Sequence, residues 1–299
     1  MSVAATSFES LFQICLSCSA LTVVSEWWWF PSSAGSRQNL ADAALCLFGL
    51  NMLHSACQAF YWWWRTRTER KGVETCSLPW TQGALHLGSL LGPCLSQLVG
   101  HDPVLQLIGK AMTPALAALL DPRPVWGTRK QVSVALVVGG TLASLEEGFA
   151  RAEANGLSAA FAAVGIVCSV FLGRQQYLER QAAAAGGRIE RPLGALHAAT
   201  LAWAVPVSLV LLPLLSNQQQ MPNTSSWTMA TAGVAIISVL MQCYCSFTVV
   251  KVTKGRGLVD VNVILSCRRV VIALVVHSSR LTPTKCVVCV MNLLAVAFL

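Results

Sequence analysis

Lys110, Arg268 and Arg269 stand inside long apolar runs of a 299-residue chain. A cation at the middle of a bilayer costs about 2.5 to 3.5 kcal/mol on insertion scales, so three of them call for compensation. Asp260 lies about two helical turns before Arg268, and Asp42 opens the second apolar run. Two acids cannot neutralise three bases, and neither has the register of a helical ion pair. Snorkelling or internal ion pairing is one way out. The other is an anion site whose missing negative charge belongs to a ligand. Phosphate suits it: arginine offers a planar fork that matches phosphate bidentately, and lysine a compact point charge.

The elements that must position these residues are membrane spans. Hydrophobic residues make up 55% of the chain and charged residues only 11%, with a mean hydropathy of +0.58. Soluble domains carry about 25% charge, so the composition predicts an all-α integral membrane protein and argues against a soluble enzyme or a nucleic-acid partner; the net charge of +8 is a matter of topology. Runs of about 20 apolar residues are expected at about 8–30, 40–64, 78–100, 103–120, 131–147, 156–176, 193–215, 227–250, 258–276 and 281–299. Turn and charge signals separate them, among them Asp121-Pro-Arg-Pro124 and Lys254-Gly-Arg-Gly257. Trp27-Trp28-Trp29 and Trp62-Trp63-Trp64 close the first two spans, where indoles favour the lipid boundary. The N-terminus lacks a basic n-region, so no removed signal peptide is expected.

Loops on the side of the N-terminus hold most of the basic residues, including Arg65, Arg67, Arg70, Lys71, Arg123, Arg129, Lys130, Arg188 and Arg191. The opposite side holds Arg37, Arg151, Arg280 and Lys285. Both termini are therefore expected on the cytosolic-type side. The 12 cysteines sit mostly in apolar runs and read as small buried hydrophobes. Cys15/Cys18 and Cys286/Cys289 have no histidine nearby in sequence, so neither a metal site nor a cofactor is expected.

Ten spans divide as five plus five, which puts Lys110 in the fourth span and Arg268 in the ninth at equivalent places. An odd number per half inverts the second half, and inverted repeats place their substrate near the midplane between them. A single transporter domain is expected over 1–299, with repeat one at about 1–150 and repeat two at about 151–299.

At these residues the sequence resembles the triose-phosphate/nucleotide-sugar translocator family of the drug/metabolite transporter superfamily, plastid phosphate translocators above all. Lys110-Ala-Met-Thr-Pro114, Gly139-Gly140, Ala143-Ser144, Glu146, Phe149, Gly156 and Arg174 look like the family's series at similar spacing. Arg268-Arg269 sits where plastid members carry Lys-Arg, and Leu281-Thr282-Pro283 resembles the lead into the last helix. His86 and Ser89 match a histidine and hydroxyl of the third helix, and Tyr244 a tyrosine of the eighth. The resemblance covers about 78–299 and fails over 1–75, where the first-helix signature is missing. Thr113 stands where many plastid members have an acid.

The resemblance implies an antiporter that exchanges a phosphorylated sugar or triose phosphate for inorganic phosphate across an organelle membrane, a plastid inner envelope before Golgi or ER, by alternating access. Lys110, Arg268 and Arg269 would hold phosphate. His86, Ser89 and Tyr244 would hydrogen-bond it or the adjoining carbon skeleton, and Arg174 would reach the substrate's other end. Each of these four also has an ordinary alternative: an interface histidine, a helix-bonded serine, an interfacial tyrosine and a loop charge.

Three other readings stay open. One keeps the fold and exchanges nucleotide sugars for nucleoside monophosphates in Golgi or ER, with the sequon Asn223-Thr224-Ser225 on the non-cytoplasmic side. Another is a transporter-like scaffold or receptor that no longer transports. A membrane enzyme is the third and is disfavoured, because acids within the spans are too few and scattered for a general acid/base pair. The expected partners are the phosphorylated substrate, inorganic phosphate and the lipid bilayer, with a homodimer left open.

Overall fold

The computed structural model describes residues 37–68, 78–100, 103–120, 127–151, 155–184, 193–216, 229–253 and 281–297, with the single positions Asn262, Leu265 and Leu274. Among these residues the chain is helical throughout. The elements are α1 (Arg37–Thr68), α2 (Trp80–Leu98), α3 (Pro103–Gly109), a 3-10 turn (Lys110–Met112), α4 (Thr113–Leu120), α5 (Thr128–Ala150), α6 (Gly156–Ala184), α7 (Leu193–Ser216), α8 (Met229–Thr253) and α9 (Pro283–Ala297). Seven of the ten expected spans coincide with one helix each. The fourth, 103–120, is two short helices joined by the turn. The first, 8–30, and all of the ninth, 258–276, but Asn262, Leu265 and Leu274 lie outside the described residues, and so do Arg268 and Arg269.

Three stretches are long and apolar enough to cross a membrane: Gln131–Ala150, Gly156–Ala182 and Leu193–Val210. The α1 helix ends where the sequence puts its tryptophan run. Trp63 and Trp64 are exposed, and the Arg67 guanidinium lies 4.5 Å from the centroid of the Trp63 ring. Arg65 and Arg67 occupy the last turn, where cations complement the helix dipole. Thr66 and Thr68 hydroxyls donate back to the Trp63 and Trp64 carbonyls.

Helices pack in pairs: α2 on α6, α5 on α9, and α1 on α7. The first pair is drawn close by missing side chains. A Cβ on Gly92 would meet the Gly165 backbone at 2.7 Å, and one on Gly165 would meet the Pro93 ring at 2.6 Å. Small residues let membrane helices approach like this because packing, rather than a hydrophobic gradient, holds them together. At one end of the pair the Ser96 hydroxyl donates to the Ser158 carbonyl at 2.8 Å. There α6 starts on a reciprocal cap: Asn155 Oδ1 accepts from the Ser158 N–H at 2.7 Å, and Ser158 Oγ accepts from the Asn155 N–H at 3.0 Å. The α2 chain stops on Gly100, whose φ of 103° belongs to the left-handed region that glycine tolerates.

Gly194 makes the same kind of close approach in the α1–α7 pair, its Cβ position lying 2.1 Å from Trp62 Cβ. The α5–α9 pair is antiparallel. Ser133 Oγ donates to the Ala295 carbonyl at 2.7 Å, Gly140 faces Val288, and Thr282 Oγ1 donates to Glu147 Oε2 at 2.9 Å.

Gly92→Ala is expected to destabilise the chain by about 1–3 kcal/mol, because backbone on both sides must move to admit the methyl group. Gly139→Ala, with nothing within 4 Å of its Cβ position, should be neutral. Thermal unfolding of the two purified variants, followed by tryptophan fluorescence, checks this. Equal melting would mean that α2 and α6 are not held at this distance.

Candidate functional site

Lys110 lies at the break between α3 and α4. The 3-10 turn tightens the backbone there; the Thr113 hydroxyl donates to the Lys110 carbonyl, and Pro114 follows. Around the turn, α5, α6 and α9 are met near their middles. Thr141 Oγ1 of α5 donates to the Ile108 carbonyl at 3.4 Å, Ile108 packs with Val288 and Cys289 of α9, and Ile166 of α6 lies over Gly109. Lys110 therefore sits half-way along the bundle. The same segment joins two packed pairs. The turn and both short helices touch α5, and α3 and α4 touch α6, with Ala117 and Leu120 clustered against Val170 and Tyr177. Among the described residues, α5–α9 meets α2–α6 chiefly through this broken helix. Gln106 anchors it to α2, donating to the Pro93 carbonyl at 2.7 Å and accepting from the Gln97 amide.

Arg174 stands two turns beyond Ile166 on α6, about 12 Å further along the axis. Its side chain is half-buried, and its Nε is enclosed without a hydrogen-bond partner. Ser89 Oγ donates to the His86 carbonyl at 2.7 Å, a bond within its own helix. Tyr244, on α8, is 53% exposed.

His86 turns away from Lys110. Gly88 and Gly92 face α6, and residues two apart on a helix lie on opposed faces. On its own face His86 meets α7. Its Nδ1 lies 3.1 Å from Thr200 Oγ1, and its ring stands edge-on to His197 at 5.1 Å between centroids. The His197 ring in turn stands edge-on to His54 of α1 at 4.9 Å. His197 Nδ1 lies 3.0 Å from Ser55 Oγ, and His54 Nε2 lies 3.4 Å from Ser246 Oγ of α8. Three of the chain's five histidines thus form one row across four helices, each with a ring nitrogen on a hydroxyl. Sequence reasoning found His86 and missed its companions, although a histidine within a span is itself a functional signal.

The Thr200 hydroxyl has one hydrogen, and it donates to the Leu196 carbonyl at 2.8 Å. Toward His86 the oxygen can only accept. Neutral His86 is therefore the Nδ1–H tautomer with Nε2 bare.

The α9 end holds the other surprise. Lys285, expected among loop charges, is in the first turn of α9 and 0% exposed. Its N–H donates to Thr282 Oγ1 at 3.2 Å. Thr282 bonds Glu147, and Glu147 Oε1 pairs with Arg151 Nε at 2.9 Å. Glu147, not its neighbour Glu146, thus joins α5 to α9. Cys289 is buried and Cys286 exposed, and no three His, Cys, Asp or Glu side chains among the described residues are placed to hold a metal ion.

No family model matches the chain, and no curated protein matches it at a significant level.

Lys285→Ala should cost about 2 kcal/mol or more, since it empties a fully enclosed position of a long side chain. Arg151→Ala, at the exposed end of its pair, should cost under about 1 kcal/mol. Thermal unfolding of both variants decides this, and equal small losses would mean that Lys285 reaches water.

Proposed function

We propose that the chain is an antiporter that exchanges a phosphorylated sugar or triose phosphate for inorganic phosphate across an organelle membrane by alternating access. The observation that carries this reading is the broken helix: it puts Lys110 half-way along the bundle and wedges it between two packed helix pairs. A 3-10 stretch inside a helix often marks a functional hinge, and a ligand held at this turn bears on both packed pairs.

In this mechanism Lys110 holds the phosphate with Arg268 and Arg269, the two cations that the sequence places at the equivalent point of the second half. The lysine acts as a point charge and the arginines as forks. Arg174, with its enclosed and unpartnered Nε, is available to an oxygen at the far end of the substrate. Exchange follows from charge. Gathered at one site, three cations present up to three positive charges to the water-poor state, and bound phosphate, with about two negative charges, cancels most of them. No coupling ion is needed for strict exchange.

The test is uptake of labelled inorganic phosphate into liposomes that hold the purified chain and are preloaded with phosphate, triose phosphate, hexose phosphate, a nucleoside monophosphate or nothing. Uptake should require an internal phosphorylated partner. Lys110→Ala and Arg269→Ala should each lose at least about 30-fold in apparent phosphate affinity, the equivalent of removing one partner of an enclosed charge pair. Uptake into empty liposomes at the full rate, or no uptake by folded protein, overturns the reading.

A further inference from the structure

The histidine row is separate from the Lys110 turn, on the opposed face of α2, and the anion chemistry above makes no use of it. Its surroundings define what it can bind. Residues 44–64 of α1, all of α2 and α7, and residues 229–250 of α8 contain no Asp, Glu, Lys or Arg. The other titratable residues on these stretches are Cys46, Cys57 and Tyr61 of α1, Cys94 of α2 and Cys243, Tyr244 and Cys245 of α8, with Cys243 hydrogen-bonded by Gln58. A polar seam accompanies the row. Asn51, His54, Ser55 and Gln58 share one face of α1, and Ser238, Gln242 and Ser246 recur every four residues on α8. Ser238 Oγ and Gln242 Oε1 are enclosed without a hydrogen-bond partner.

The side chains do not converge on a metal position. What successive imidazoles about 5 Å apart can take is a proton. Each has one nitrogen oriented by a hydroxyl, and His86 Nε2 is fixed as a bare acceptor by the Thr200 bond. Gln242, one turn before Ser246 on α8, brings an unpartnered acceptor to the His54 end of the row.

We propose that His54, His197 and His86 form a proton-binding site, one proton shared by three imidazoles, which is loaded and unloaded during the transport cycle. The proton comes from water on the side to which the row is open, adds to a bare ring nitrogen such as His86 Nε2, and returns to water on the other side. Proton binding itself stands on the geometry of the row; its coupling to transport rests on the antiporter reading. Thr200 acts as a positioning residue, since it sets the His86 tautomer.

Two measurements on the full-length chain test this. The first follows the ring nitrogens of 15N-histidine-labelled protein by NMR between about pH 5 and pH 8. About one imidazolium per chain should appear in this range, and the His54 and His86 signals should titrate together through His197. His197→Gln should uncouple them, and Thr200→Val should return His86 to a mixture of tautomers. Three rings that stay neutral throughout, or that titrate independently and ignore His197→Gln, overturn the proposal.

The second is phosphate exchange in liposomes under an imposed pH gradient of about one unit, where a tenfold proton gradient should change the initial rate several-fold in the wild type and leave His197→Gln indifferent. Exchange that ignores the gradient in the wild type overturns the coupling. Absence of exchange together with a coupled titration would instead uphold the proton site and refute the antiporter.

Discussion

Backbone-to-backbone approach between α2 and α6 is the constraint on which the other placements depend. With no side chain at Gly92 and Gly165, Pro93 reaches the α6 backbone directly. The Gln97 and Gln106 amides beside that contact then pin the broken helix on one side. Because residues two apart lie on opposed faces of a helix, the same contact commits His86 to the other side, toward α7. A bulkier residue at either glycine would displace both loci at once. Cost would come from moving main chain, since the atoms in the way are not the ends of flexible side chains.

A consequence is that α2 separates two chemistries. On one side a lysine sits in a 3-10 turn, next to Ile108 and Gly109, which meet α5, α9 and α6. On the other, imidazoles, hydroxyls and amides from α1, α2, α7 and α8 bond one another with no formal charge on those stretches. Enclosed polar groups are tolerable only when they are mutually satisfied or exchange with a ligand. The hydroxyl-bonded ring nitrogens meet that demand for most of the row, and the few orphaned atoms lie at its α8 edge.

Much of this was legible in the sequence, and the rest was not for identifiable reasons. Span positions follow from apolar run length, a strong signal where the solvent is lipid; hence α1, α2 and α5 to α9 fall where expected. Lys110 stood out because a charge in an apolar run is costly. The break beside it was not expected, since Pro114 reads equally well as a tolerated kink. The histidine row escaped because its members lie 32 and 111 residues apart in the chain, and periodicity within one helix says nothing about which faces of distant helices meet. Lys285 counts among the loop charges because it stands close to a span end, although the expected span 281–299 contains it; what a count of charges does not show is that this first turn of α9 is enclosed. The equivalence of Lys110 with Arg268 is a statement about sequence order, and the ninth span that would answer it lies outside the described residues.

The pairing of helices gives the Lys110 segment its mechanical meaning. The α2–α6 and α5–α9 pairs are each tightly packed and resist internal deformation, since packed interiors are stiff and admit discrete rearrangements more readily than continuous ones. Motion is therefore cheapest at the seam between them, and that seam is filled by two short helices hinged on a 3-10 turn. Short helices carry few internal hydrogen bonds to lose, and the side-chain bonds from Gln106 and Thr141 can re-form after a small shift. A ligand that binds Lys110 differently when the two pairs tilt one way than when they tilt the other shifts the balance by that difference and by nothing else. An anion held by charges on both sides of a seam is the kind of ligand whose affinity responds most to their spacing, because in a water-poor interior a given change of distance alters the Coulomb energy far more than it does in water.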